Sequence, residues 1–240
     1  MNIKTVNIIG RGNVAFHYHK VMNEKGYKAK MISSREEFSA KDVESDIVII
    51  AVKDDVINEV VNKLPKVEGI LLHTSGFTNS DLLSQKADNF GCLYPLQSLS
   101  KKKDIDFSEV PLCFCANNEK CKDSLESFAK SLSTYACFVD DEQRQYLHIA
   151  AVFANNFTNH LFGISKEILD RHNIPFSLLF PIIDRTVNNV KSNDDLFAFQ
   201  TGPAVRGDFN IINQHLDRLS SKEKELYSVI SNSIIDYHKK

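Results

Sequence analysis

The sequence of 240 residues contains no tryptophan, no long apolar run and no large excess of charge of either sign. A membrane helix needs about 20 consecutive apolar residues, so we expect no membrane span. The net charge of −2 gives no electrostatic reason to expect binding to nucleic acid or to an anionic membrane. Because the chain enters a strand pattern at once, without a signal-peptide pattern, we expect a cytoplasmic protein.

Cysteine is also scarce, and the motifs of several enzyme classes are missing. The five cysteines include no Cys-x-x-Cys pair, so we expect buried reduced thiols and no metal site. The sequence has no Gly-Lys-Ser/Thr phosphate loop, no Gly-x-Ser-x-Gly nucleophile elbow and no His-Glu-x-x-His zinc motif. These absences argue against the corresponding nucleotide hydrolases, esterases and metalloproteases.

One strong pattern lies at the start of the chain, where an apolar run is followed by Gly10-x-Gly12-x-x-Ala15. In a dinucleotide-binding turn, Gly10 permits the tight turn, Gly12 leaves room for the pyrophosphate, and Ala15 lets the helix pack against the strand. Asn13 and Val14 then begin a helix whose free N–H groups face the phosphates. The alternative is a tight turn with a structural role only.

The next strand pattern ends in Ser33, Ser34 and Arg35. An NAD-binding fold usually carries an acidic residue here for the ribose 2′-hydroxyl. Two hydroxyls and a cation suit a 2′-phosphate instead, because arginine can pair with phosphate through two hydrogen bonds. The residues therefore favour NADP over NAD, with a solvated turn as the alternative.

Strand and helix patterns alternate up to about residue 139 and predict a Rossmann-like, doubly wound and mostly parallel sheet. Polar clusters follow three further strands, at the sheet edge where ligands bind. We predict cofactor contacts by Ala51, Val52, Lys53, His73, Thr74 and Ser75, and substrate contacts by Tyr94 and Gln97. The charged loop from Lys101 to Asp104 is interpreted as solvated. The remaining sequence is helical, and we predict a nucleotide-binding domain at 1–140 and a helical substrate and dimerisation domain at 141–240.

A long predicted helix at 142–170 carries an unusual polar set, which comprises His148, Asn155, Asn156, Asn159 and His160. At about 100° per residue, His148, Asn155 and Asn159 share one side of the helix. Asparagine is a poor helix former, and we interpret the set as a polar stripe that faces the cofactor cleft. The alternatives are an exposed face or polar contacts between helices.

Catalysis of a reduction requires a proton donor, and histidine titrates in the suitable range. We predict that His160 donates the proton and that Asn156 orients the substrate, with His148 as the second candidate. The competing interpretation makes both histidines structural residues. Thr201 and Arg206 lie in a glycine-containing loop, where the arginine could hold a substrate carboxylate. The long helix is apolar around most of its circumference, which predicts a homodimer through the helical domain.

Several segments together resemble a bacterial family of NADP oxidoreductases in which a Rossmann-like domain precedes a helical domain of unknown function. These segments are Gly10–Ala15, His73–Gly76, Tyr94–Ser98, His148–His160 and Gln200–Asp208. The wider superfamily includes pyrroline-5-carboxylate reductase, ketopantoate reductase, deazaflavin-dependent NADP oxidoreductases and the β-hydroxyacid and 6-phosphogluconate dehydrogenases. The helical domain resembles the C-terminal domain of the 6-phosphogluconate dehydrogenases. The resemblance implies NADP binding and a dimer, without supplying a substrate.

One departure from the superfamily affects the expected chemistry. The β-hydroxyacid dehydrogenases carry a lysine early in the long helix, four residues before an asparagine, whereas no lysine lies between Glu142 and Ser165 here. We therefore predict an NADP-dependent oxidoreductase acting on a small carbonyl or imine, without lysine assistance. A non-catalytic NADP-binding sensor or assembly module and a structural dimer are the alternatives.

Overall fold

In residues 3–192 and 194–239, the part of the chain that the computed structural model describes, seven strands form one sheet. The strands are β1 (Thr5–Ile9), β2 (Lys28–Ile32), β3 (Ile47–Ile50), β4 (Val67–His73), β5 (Ala87–Pro95), β6 (Leu112–Ala116) and β7 (Ala136–Phe138). Their spatial order is β2-β1-β3-β4-β5-β6-β7. β6 runs antiparallel to β5 and all the other pairs are parallel. The predicted Rossmann-like, mostly parallel sheet is confirmed.

Helices cover both faces of this sheet. They are α1 (Asn13–Glu24), α2 (Ala40–Val43), α3 (Asp54–Lys63), α4 (Glu119–Leu132) and α5 (Asp141–Ala151). Side chains of α1 and α4 pack into one buried cluster, and side chains of α3 pack into a second cluster with alternate residues of β3. Every residue of β3 is buried, because a strand covered on both faces is apolar throughout. The core thus fixes the strand ends that carry the candidate site.

The order of the strands reverses at β1. The chain passes outward from β1 to β2 and then returns to β3 on the other side of β1. Ligands of open α/β sheets bind outside the carboxyl ends of the strands at such a switch point. The fold therefore points to the loops that follow β1 and β3 as the place to look for a cofactor.

The chain divides into two compact units, Met1–Asn156 and Phe157–Lys240. This division lies sixteen residues beyond the predicted domain border, because α5 contacts the first unit through Asp141 and Arg144. The border at residue 140 between a nucleotide-binding and a helical domain stays a prediction.

The predicted long helix is present but is not α-helical throughout. A π-helical segment, Val152–Phe157, lies between α5 and α6 (Thr158–Arg171). A π turn holds more residues than an α turn, so the assumed spacing of 100° fails between these residues. The expectation that His148, Asn155 and Asn159 share one α-helical side is wrong for this reason. π-helical segments occur frequently at functional sites, and Asn155 and Asn156 lie in this one.

The second unit is helical in its described residues and has a small core. After α6 follow α7 (Phe180–Ser192), α8 (Pro203–Arg206), α9 (Phe209–Arg218) and α10 (Ser221–His238). Asp208 accepts a hydrogen bond from the backbone of Ile211, and Ser220 forms a capping box with Glu223. Among the described residues, no helix is long and apolar enough to cross a membrane.

The cysteines depart from expectation at one position. Cys92, Cys113, Cys115 and Cys121 are buried, whereas Cys137 is exposed. It lies on β7 at the edge of the sheet, directly opposite Cys113. The two sulfur atoms are 3.7 Å apart and are not bonded. The prediction of buried thiols is therefore wrong for Cys137, because an edge strand has one side without a neighbour.

Candidate cofactor and active site

The turn after β1 has a backbone that only glycine allows at its first glycine position. Gly10 has a φ of +132°, which lies outside the range of other residues. A Cβ atom there would lie 2.2 Å from the carbonyl oxygen of Ala51 on the neighbouring strand end. Gly10 is thus required by the fold itself, whether or not a ligand binds.

The second glycine of the motif is different, because nothing in the protein requires it. Gly12 has a φ of −76°, which any residue can adopt. A Cβ atom there would meet no protein atom within 4 Å. Gly12 is the N-cap of α1, and the first turn of that helix carries no acidic residue. The open space and the helix N-terminus are both suited to a pyrophosphate.

A cleft of about 1100 Å³ extends from this turn along the sheet edge. It is lined by Gly10, Arg11, Gly12, Asn13, Val14, Ser33, Ser34, Arg35, Ala51, Val52, Lys53, Val56, Glu59, Lys63, Gln97 and Leu99. The cleft therefore reaches from the loop after β2, past β1 and β3, to the loop after β5. All the predicted cofactor residues line it except His73, Thr74 and Ser75, and the predicted substrate residue Gln97 lies at its far end.

The end of the cleft beside β2 carries the group predicted to bind a 2′-phosphate. Ser33 accepts a hydrogen bond from the backbone N–H of Arg35 at 3.3 Å, and its own hydroxyl proton stays available to a ligand. The Arg35 side chain is exposed and its guanidinium makes no hydrogen bond to any described residue. A cation and two hydroxyls at one end of the cleft fit a phosphate monoester.

The loop after β5 contacts the glycine turn, which the sequence did not indicate. The Lys101 ammonium donates a hydrogen bond to the carbonyl oxygen of Arg11 at 2.6 Å. The Lys101 backbone N–H donates to the side chain of Asn13 at 3.3 Å. Asp104, at the other end of the loop, forms an ion pair with Lys20 of α1. The interpretation of this loop as merely solvated is wrong, because it bridges the turn and α1.

The polar cluster after β4 is buried in the protein. His73 has no exposed surface, and its Nε2 atom lies 3.0 Å from the hydroxyl of Ser80. Burial, together with the charge of Arg144, lowers the pKa of His73 to about 3, so the imidazole stays neutral. The Ser75 hydroxyl accepts hydrogen bonds from the backbone of Phe77 and Thr78 within a local turn. Thr74 is 8% exposed. These three side chains organise the loop, and their predicted contact with the cofactor stays a prediction.

A buried arginine that the sequence analysis missed holds this loop to α5. Arg144 has no exposed surface and forms an ion pair of 2.5 Å with Asp141. Its guanidinium donates to the carbonyl oxygens of Ser75, at 3.1 Å, and of Thr78. Burial acts to raise the pKa of Asp141, but hydrogen bonds from Ser80 and the charge of Arg144 outweigh it and hold the pKa below its usual value. The signal in the sequence was weak, because arginine on a helix is usually exposed.

Two residues of the predicted polar stripe contact the loops at the end of β5. The hydroxyl of Tyr94 lies 3.0 Å from Nδ1 of His148, and the two rings meet edge to face. Asn155 donates a hydrogen bond to the hydroxyl of Ser98 at 2.6 Å. Burial raises the pKa of Tyr94 to about 12, so its hydroxyl keeps its proton at neutral pH. The structure therefore brings together one predicted catalytic residue and one predicted substrate residue.

The other candidates are exposed side chains. Asn156 ends the first unit, and its side chain accepts a hydrogen bond of 3.4 Å from Asn155. His160, Thr201 and Arg206 belong to the second unit and are all exposed. Their predicted roles in catalysis and substrate binding stay predictions.

Comparisons with known proteins agree with this geometry. A family described as a domain of unknown function, DUF2520, matches residues 110–234. No curated protein matches the sequence. A crystal structure named putative NADP oxidoreductase BF3122, from Bacteroides fragilis, is 31% identical to this chain over 98% of both chains, with a TM-score of 0.84.

Two more distant solved structures share the fold. A reductive aminase from Aspergillus terreus, in complex with NADPH and ethyl levulinate, is 12% identical over 98% of this chain and 99% of that chain, with a TM-score of 0.68. A pyrroline carboxylate reductase from Plasmodium falciparum, with NADP bound, is 14% identical over 98% of both chains, with a TM-score of 0.54. Both arrange their chains as this protein does.

Proposed function

The chain belongs to the DUF2520 family, and on that premise we propose that it is an NADP-dependent oxidoreductase acting on a small carbonyl or imine. The Bacteroides relative, which shares the fold along nearly the whole chain, is named an NADP oxidoreductase. The more distant Aspergillus and Plasmodium enzymes are named for the formation of amines and for pyrroline carboxylate reduction. A reducible C=O or C=N bond is the group that these names have in common.

The contrast between Gly10 and Gly12 is the observation that carries the cofactor assignment. The fold needs Gly10 for its backbone, whereas it leaves the space beside Gly12 empty. A protein that used this turn only as structure would have no need for a second glycine here. NADPH would supply a hydride when bound, and the cleft residues hold and orient it. Gly12, Asn13 and Val14 would hold the pyrophosphate, and Ser33, Ser34 and Arg35 would hold the 2′-phosphate.

The opposite end of the cleft is the place for the substrate. With the 2′-phosphate held beside β2, the reactive end of the cofactor would reach the part of the cleft that Gln97 and Leu99 line. Gln97 can hydrogen-bond a carbonyl or imine substrate through its amide. Proton donation by His160, orientation of the substrate by Asn156, and substrate binding by Thr201 and Arg206 stay predictions that need their own variants.

The function is tested by measuring NADPH consumption with a panel of small ketones, α-keto acids and cyclic imines. We expect NADPH to bind and to be oxidised in the presence of at least one class. NADPH that binds but is consumed with no member of the panel would contradict the proposal and favour a sensor or assembly module. NADPH that does not bind in titration calorimetry would contradict the cofactor assignment as well.

We also propose that the protein is a cytoplasmic homodimer formed through its helical part. The second unit exposes large apolar side chains on several helices, among them Leu178, Phe180, Ile182 and Val190, each more than half exposed. Apolar surface exposed on neighbouring residues marks protein–protein interaction sites. A second copy is the occupant that the symmetry of most oligomers favours. Light scattering at micromolar concentration should give the mass of a dimer, and the mass of a monomer would contradict the proposal.

A further inference from the structure

We propose that His148 delivers the proton to the substrate through Nε2 and that Tyr94, bonded to Nδ1, fixes the ring in the orientation this requires. The inference rests on the proposed reduction of a C=O or C=N bond. It assigns proton donation to His148, which Tyr94 positions and which lies in the first unit, whereas the sequence alone favoured His160.

The first step of the argument is the geometry of the pair. The Tyr94 hydroxyl lies 3.0 Å from His148 Nδ1. Nε2 of His148 makes no hydrogen bond with any residue that the structure describes. A histidine whose Nδ1 is engaged by a fixed partner exchanges its proton through Nε2. Neither ring is fully buried, so water can recharge the imidazole.

The second step concerns how closely the loop after β4 approaches the pair. A Cβ atom on Gly76 would lie 2.5 Å from Nδ1 of His148 and 3.0 Å from the Tyr94 ring. Only glycine lets the backbone approach the two rings this closely. Gly76 has no positive φ that would require glycine for its backbone. The three atoms nearest to such a Cβ all belong to the two rings, which therefore account for the glycine.

The third step is the anchoring of α5. Arg144 lies one helical turn before His148, so the two side chains project from the same side of α5. Arg144 binds the carbonyl oxygens of Ser75 and Thr78, on either side of Gly76. Gln145 adds a hydrogen bond of 2.9 Å to the carbonyl oxygen of Phe77. The helix and the loop are thus locked together one turn away from the imidazole.

The fourth step concerns the end of β5, near which both the pair and one end of the cleft lie. Tyr94 lies near the carboxyl end of β5, and the cleft ends at Gln97 and Leu99 in the loop that follows. Asn155 binds Ser98 in that same loop, which holds the π-helical segment beside it. A substrate beside Gln97 would lie three residues along the chain from Tyr94, at the same end of β5.

The proposed step balances in atoms and charge. The substrate carbon gains a hydride from NADPH, which is oxidised to NADP⁺, and the π electrons of the C=O or C=N bond move to the heteroatom. Nε2 of the protonated imidazole gives its proton to that oxygen or nitrogen and is left neutral. Nδ1–H stays donated to the Tyr94 oxygen, and water restores the proton at Nε2. Tyr94 keeps its own proton throughout and is a positioning residue.

The experiment compares His148→Gln and Tyr94→Phe with matched controls, using the substrate class on which the parent consumes NADPH. We expect His148→Gln to lower kcat about 100-fold or more and Tyr94→Phe to lower it about tenfold. In both variants, KM and the Kd for NADPH should stay within twofold. His172→Gln and Tyr135→Phe, two exposed residues outside the pair, should keep the parental kcat. Added imidazole should restore turnover to His148→Ala, which a structural role alone does not predict.

A second readout needs no turnover. In ¹⁵N-labelled protein, the ring signals of His148 should respond to Tyr94→Phe and not to Tyr135→Phe. Unchanged His148 signals in Tyr94→Phe would overturn the pairing. Parental kcat in both His148→Gln and Tyr94→Phe would overturn the proton role, as would a loss confined to His160→Gln. If the unsubstituted protein binds NADPH but reduces no substrate, the proposed function is overturned, and the proposed role of the pair is overturned with it.

Discussion

The two units of this protein differ in where they keep their apolar side chains. In the first unit, large aliphatic residues such as Ile49 and Leu72 are fully buried between the sheet and its helices. In the second unit, the described buried core is Ala204, Ile212 and Ile235, while Leu178 and Ile182 are about two-thirds exposed. A parallel sheet with helices on both faces buries its own apolar surface, whereas a few helices have less surface to offer one another.

The same contrast holds for charge and for glycine. In the first unit, the fully buried Arg144 pairs with the partly exposed Asp141, whereas both partners of the Lys166–Asp170 pair in α6 are exposed. Gly12 and Gly163 both have open space where a Cβ atom would lie, but only Gly12 faces the cleft. The comparison indicates that the first unit has its own buried core beside the cleft that we assign to the cofactor. The second unit instead exposes apolar side chains. Matched substitutions in the two units test this.

The largest effect is expected from a charge placed in each unit. Leu72→Asp should prevent folding or cost more than about 4 kcal/mol, because it buries an unpaired carboxylate. Leu178→Asp should leave the circular dichroism spectrum and NADPH binding unchanged and shift the light-scattering mass toward a monomer. If the Leu178→Asp protein remained fully dimeric, Leu178 and the exposed residues of α7 near it would not form the dimer contact.

Gly12→Val should abolish NADPH binding while the protein stays folded. The side chain would enter the space that we assign to the pyrophosphate, and it meets no protein atom there. Gly163→Val should bind NADPH like the parent, because its side chain would enter open solvent beside α6. Titration calorimetry measures the affinity and thermal unfolding checks the fold. If Gly12→Val bound NADPH with the parental affinity, the turn would have a structural role only.

Arg144→Met should lower the free energy of unfolding by about 3–5 kcal/mol, because Asp141 loses its buried partner and the loop loses its donors. Lys166→Met removes a partner from an ion pair that is more than half exposed on both sides, and should cost less than about 1 kcal/mol. Chemical denaturation gives both values. Equal costs would contradict the anchoring role of Arg144.

Arg35→Ala should weaken NADPH by about 1.5–3 kcal/mol and leave NADH unchanged, because only NADPH carries the 2′-phosphate. Arg218→Ala, which removes an exposed arginine from α9 in the second unit, should change neither affinity. Calorimetric titration with both nucleotides gives the comparison. Equal losses for the two nucleotides in Arg35→Ala would contradict the assignment of the phosphate site.

Local patterns in the sequence predicted much of the first unit. The tight glycine turn and the apolar run of β3 depend on residues a few positions apart, and both are present in the structure. The family resemblance is confirmed as well, because it depends on whole motifs. The π-helical segment could not be predicted in this way, because a helical wheel assumes a single spacing for every residue.

What the sequence determined by itself was the fold, the tight glycine turn and the residue types that follow β2, since these depend on neighbouring residues and their periodicity. Only the tertiary structure decided which distant residues meet. It buried His73, brought Arg144 to the loop after β4, and joined Tyr94 to His148 across 54 positions of sequence. Such contacts depend on the order of strands and on how α5 packs against them, and no local pattern encodes either.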